Sequence, residues 1–117
     1  MNDSEMLKAL IDNMKDYVAF RDLKGRLLKW NENSPLATPL MKRNNKIGHK
    51  ISDDFSGDWV NKIQENYDKV MQSGKTIEFD EHSILEGKDY YFHAIRFPVF
   101  DSDGNVIGIG SITTPAS

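Results

Sequence analysis

Toward its C-terminus the chain reads KTIEFDEHSIL (residues 75–85), EG (86–87), DYYFHAIRFPVF (89–100), DSDGN (101–105) and VIGIGSIT (106–113). The first segment reads as a strand, and Glu86-Gly87 as a turn, because glycine tolerates a positive φ. The second segment, Asp89 to Phe100, concentrates aromatic and β-branched residues, the side chains that fit a pleated surface. Ser102-Asp103-Gly104-Asn105 supplies a second turn, and Val106 to Thr113 a third strand. Three strands this close leave no room for a crossover helix and must pair antiparallel. Such a sheet cannot bury both of its faces alone, so the residues upstream have to cover it.

Working outward, Asp58 to Gln72 is the long internal helix. Trp59, Ile63, Tyr67 and Val70 recur on it at helical spacing, and Gly74 stands where a C-terminal stop belongs. Tyr17 to Arg21 and Arg26 to Trp30 read as two short strands around the turn Asp22-Leu23-Lys24-Gly25. Asn33 or Ser34 caps a short helix holding Leu36, Leu40 and Met41, limited by Pro39. Lys42 to Lys46 reads as a solvated loop, and a further helical turn is expected near Ser52 to Phe55. At the N-terminus, Asp3 or Ser4 caps a helix ending near Asn13, with Leu7, Leu10, Ile11 and Met14 on one stripe. The order predicts an α+β domain with helices on one face of an antiparallel sheet.

The totals narrow the function. The 117 residues hold one domain with one core. A net charge of −3 offers no basic footprint for nucleic acid. No apolar run is long enough to span a membrane, and residues 1–15 hold no signal-peptide pattern; a cytoplasmic protein is expected. With no Cys there is no disulfide framework, thiolate metal site, Cys nucleophile or cysteinyl photoadduct. No Ser or Thr has a nucleophile context, and the three His residues define no acid–base pair. His49 with Asp53 and Asp54 has metal-ligand spacing, with a solvated loop as the alternative, and no metal site is assigned.

Three motifs then stand in order. Asp22-Leu23-Lys24-Gly25-Arg26-Leu27 with Asn31 resembles Asp-x-x-Gly-x-Ile-x-x-x-Asn of PAS domains. Ile47-Gly48 resembles the Ile-Gly that opens their middle helices, and Pro98-Val99-x-Asp101-x-x-Gly104 their Pro-x-x-Asp-x-x-Gly turn. The resemblance covers roughly residues 5 to 114 and is to sensory PAS domains such as those of bacterial sensor kinases and diguanylate cyclases. It implies a single domain over 1–117, a flanking helix over 1–14 and a core over 17–114. It also implies a five-stranded antiparallel sheet in the order 2-1-5-4-3, with helices on one face and the N-terminal helix against the other. The family's closing Asp-Ile-Thr is here Ser111-Ile112-Thr113.

The implied function is a non-catalytic sensory and dimerisation module, feeding an output domain of a longer parent protein and binding a small polar or anionic ligand between sheet and helices. The alternatives are a flavin- or haem-binding sensor and a small enzyme of similar architecture using His82 and Asp80. The cofactor is left unknown. Without Cys a covalent flavin is excluded, and the long helix lacks the His that haem-binding members carry.

The resemblance also implies the facing. Leu27, Phe92, Ala94, Arg96, Ile107 and Ile109 point inward; Tyr91, Ile95, Phe97, Gly108 and Gly110 point outward. Alternation then sends Val18, Phe20, Leu28 and Trp30 outward. The ligand-binding residues expected on this basis are Arg96, His82, Phe92, Ala94, Trp59, Ile63, Tyr67 and Ile109. Arg21, His82 and Arg96 would share the inner face, with Asp80 in reach of Arg96. Either Arg96 pairs with Asp80 and His82 sits near the solvent edge, or Arg96 holds an anionic ligand. Ile77 and Phe79 are the more apolar side of their strand, and a bulge there would turn Asp80 and His82 outward. On the other face, the stripe of Leu7, Leu10, Ile11 and Met14 approaches over Gly108 and Gly110. One helix, about 10 Å wide, cannot cover five strands spaced ~4.8 Å apart. A homodimer through this stripe and the outer sheet face is therefore expected.

Overall fold

The computed structural model describes residues 1–37, 41–42 and 45–116. Its elements are α1 (Asp3–Asn13), β1 (Tyr17–Asp22), β2 (Leu27–Trp30), α2 (Ile51–Asp54), α3 (Asp58–Ser73), β3 (Ile77–Leu85), β4 (Lys88–Phe100) and β5 (Val106–Pro115). The strands form one antiparallel sheet in the order β2-β1-β5-β4-β3, the order expected. The expected helix of Leu36, Leu40 and Met41 includes positions 38–40, and the expected loop of 42–46 includes 43 and 44; these five positions lie outside the described residues. No helix of the described residues is long and apolar enough to cross a membrane.

The β3–β4 hairpin sets the inner face. Glu86 and Gly87 both take positive φ, 51° and 77°, the conformation of a two-residue turn whose twist matches that of the strands. That turn pairs Leu85 with Lys88, and the register continues unbroken to Ile77 with Arg96. Residues directly opposite share a face. Ile77, Phe79, Glu81, Ser83 and Leu85 therefore face inward with Phe92, Ala94 and Arg96. Asp80 and His82 face the other way. The expected inward Asp80 and His82 are thus corrected, and no bulge is involved: a two-residue turn alone dictates it.

Helix α3 lies on this face. Trp59, Val60, Ile63, Tyr67 and Val70 are its buried residues, and they form the core with Ile109. Gly74 ends the helix in the left-handed region at φ 63°, its N–H donating to the Val70 carbonyl. Helix α1 is capped by Asn2 rather than Asp3 or Ser4. The Asn2 side chain accepts from the Glu5 N–H while Glu5 accepts from the Asn2 N–H, a reciprocal capping box.

Two bulges shift the facing elsewhere. Between Phe20 and Arg21 the β1–β2 register slips, so that Ala19 pairs with Trp30 and Arg21 with Leu27. Trp30 thereby joins the side of Tyr17, their rings 5.8 Å apart and edge-on, and the expected outward Trp30 is corrected. Between Val99 and Phe100 the β4–β5 register slips past Ile107. Val106 packs on the core in its place, and Ile107, expected inward, is 49% exposed.

The motif residues close turns and anchor strands. Asp22 and Asp101 each accept backbone N–H groups two and four residues on: Lys24 and Arg26 in one turn, Asp103 and Asn105 in the other. Buried Asn31 accepts from the Val18 N–H at 2.7 Å and donates to the Met14 and Asp16 carbonyls, tying the exit of α1 to β1. On the outer face, Gly110 is roofed by aromatic rings rather than by a helix. A Cβ there would lie 2.3 Å from the Phe97 ring and 3.0 Å from that of Phe20.

Candidate functional site

Between the inner face of the sheet and the helices is a cavity of about 120 Å³. One water needs only ~10–15 Å³, so a small organic molecule fits. Its apolar wall comes from Ile51, Phe55, Trp59, Ile63, Leu85 and Phe92, and its polar wall from Tyr17, Arg21, Tyr67, Glu81, Ser83, Arg96 and Thr113; Leu36, Met41 and Asn45 complete it. Strand alternation brings the polar groups together, and the helical repeat of α3 places Trp59, Ile63 and Tyr67 opposite them.

The polar wall is organised around Arg96. Its guanidinium meets the Glu81 carboxylate side-on, with Nε to Oε2 at 2.9 Å and Nη2 to Oε1. Nη1 donates to the Tyr67 hydroxyl at 2.9 Å. Glu81 also accepts from Asn66 of α3 at 3.1 Å. Both charges are nearly fully buried, 5% and 7% exposed, and the two-point geometry is what makes such burial tolerable. The Arg96–Asp80 pair expected from sequence is therefore replaced by Arg96–Glu81.

Arg21 is the second buried guanidinium, 6% exposed. Its Nη1 donates to the Gly25 and His49 carbonyls at 3.0 and 3.2 Å. Among the described residues its Nε has no partner, and no ion pair includes it.

These charges act on the two phenols. Burial pushes Tyr17 up to about 12, while its hydroxyl accepts from Asn45 at 3.0 Å. Burial raises Tyr67 as well, but the Arg96 and Arg21 charges beside it outweigh burial and bring it below its ordinary value. The wall is thus electropositive.

Of the residues expected at the site, Arg96, Phe92, Trp59, Ile63 and Tyr67 line the cavity. Ala94 and Ile109 face inward but are packed away in the core, 0% and 1% exposed. His82 lies on the opposite face, stacked on Tyr91 at 4.7 Å and bonded to Asp89 at 2.7 Å. Sequence reasoning missed Glu81, Ser83 and Leu85, and counting back from the two-residue turn at Glu86-Gly87 finds them. It also missed Tyr17 and Thr113, which sit opposite one another on β1 and β5. His49 reaches Asp54 at 3.1 Å, and no group of three or more metal-ligating side chains occurs among the described residues.

Solved structures share this architecture at low identity. A PAS domain from Colwellia psychrerythraea superposes with a TM-score of 0.78 at 14% identity, covering 98% of both chains. A sensory box sensor histidine kinase from Vibrio cholerae gives 0.67 at 14% identity, over 97% of this chain and 89% of the other. VqmA bound to DPO gives 0.77 at 16% identity, over 97% of this chain and 57% of the other. Among proteins of curated function none matches in sequence. At the level of sequence families, residues 11–116 match the PAS fold, so that strand order, Asp-x-x-Gly turns and family match agree: the chain belongs to the PAS fold family.

Proposed function

We propose that the chain is the non-catalytic sensory and dimerisation module of a signal-transduction protein, and that its input is a small molecule held in the cavity between sheet and helices. The observation that carries this is the cavity itself. It is walled on one side by aromatic and aliphatic groups and on the other by a few convergent polar ones, the composition of a small-molecule site. Phe92, Trp59, Ile63 and Tyr67 grip the ligand's apolar body. The Arg96–Glu81 pair fixes the polar wall and joins β4 and β3 to Asn66 and Tyr67 of α3, so a ligand that shifts α3 also shifts the sheet. The fold relatives point the same way: one is a sensor histidine kinase, and another, VqmA, is bound to DPO.

The output is read at the other face. Ile11 of α1 is buried, but Leu7 and Leu10 on the same helix are 52% and 60% exposed, and Leu28 on β2 is 54% exposed. This is an apolar surface of the kind that a second copy covers. VqmA of Vibrio cholerae has been solved as a dimer.

Native mass spectrometry of freshly purified protein tests the input. A retained molecule small enough for the cavity is expected, released on denaturation. Wild type that carries nothing and takes up nothing from a soluble extract of small metabolites would remove the sensory reading.

A further inference from the structure

Among the described residues, two arginines and one carboxylate stand on the polar wall. Glu81 is spent on Arg96, leaving Arg21 as the uncompensated charge. The neighbouring carboxylates are engaged elsewhere: Asp22 holds Arg26 at 2.7 Å and Asp54 holds His49 at 3.1 Å. Arg21 gives two of its hydrogen bonds to carbonyls, which orient it without neutralising it. A buried cation with neither a counter-ion nor a partner for Nε among the described residues is costly, and this one is fixed in the wall of a cavity.

We infer that the cavity takes a small organic monoanion with a compact apolar body, its acid group on Arg21 and its body against Phe55, Trp59 and Ile63. This rests on the small-molecule reading above and names the ligand's chemistry. One unmatched cation beside the Glu81 carboxylate favours a single negative charge over a phosphate dianion, which would be repelled by Glu81. A guanidinium suits a carboxylate because its planar fork meets two oxygens at once. The site therefore differs from the one expected from sequence. Arg96 is the framework of the wall, and Arg21 is the anchor.

Sodium benzoate and its uncharged isostere benzamide provide the test, followed by thermal unfolding and calorimetry at matched ionic strength. Wild type is expected to bind benzoate at least about tenfold more tightly than benzamide, the difference of one charge-assisted pair. Arg21→Met keeps the length of the side chain and removes its charge. It should lose that preference. The wild-type comparison needs no variant to fold, and Arg21→Lys, which keeps the charge without the fork, gives an intermediate preference. Equal binding of benzoate and benzamide by wild type would overturn the anion inference and leave the small-molecule reading standing. So would an unchanged preference in Arg21→Met. If neither probe binds, the molecule retained in native mass spectrometry decides: an anion supports the inference, a neutral molecule overturns it, and no retained molecule ends both readings.

Discussion

Glu81 shows how one side chain can carry a wall. Its carboxylate takes two donors from Arg96 and one from Asn66, so it joins two strands to a helix across the cavity. Glu81→Gln leaves the Arg96 charge buried and unpaired and should destabilise the protein by about 3–5 kcal/mol. Chemical denaturation measures this, and a loss below about 1 kcal/mol would mark the pair as no stronger than an exposed one. The double variant Glu81→Leu, Arg96→Met should recover most of the loss, because a packed apolar pair needs no desolvation. At this scale the sequence was only partly legible. That Arg96 needs a partner followed from its buried strand position. Which carboxylate met it did not follow from composition, because Asp80 and Glu81 are adjacent and differ only in the face they occupy.

The turn at Glu86-Gly87 decides that face, and it belongs to the hairpin as an element. Strand order and the burial of α3 were legible because periodicity and turn chemistry report them directly. The bulges were not: each moves a single residue out of register, at Leu28 and at Ile107, and period-two counting carries the error onward to Trp30. The glycines of β5 were legible as close approaches but not as to what approaches. Adding a Cβ at Gly110 drives it into the Phe97 ring, whose edge-on packing with Phe20 at 6.2 Å closes the middle of the outer face. Gly110→Ala should therefore lower stability by about 1–3 kcal/mol, the cost of overpacking. Thermal unfolding checks it, with Phe97→Leu as the compensating second change. An Ala at 110 that is neutral would mean that the two rings move apart freely.

For the whole molecule, the contrast between the two faces matters most. The inner face is closed by α3, whereas Leu7 and Leu10 of α1 and Leu28 of β2 stay exposed. Sedimentation at micromolar concentration should show wild type at twice the 13.4 kDa chain mass and Leu10→Asp as a monomer with unchanged circular dichroism. Wild type running as a monomer would assign that surface to an output domain instead. The middle strand has another consequence, for synthesis. β5 lies between β1 and β4, pairing Tyr17 with Thr113 and Arg96 with Ser111. On a ribosome, both hairpins emerge before the strand that joins them, and each waits with an unpaired edge until β5 follows. The domain therefore closes late and nearly at once, with its N-terminal strand meeting its last one, and the interval before that is when the nascent chain most needs protection from pairing with another.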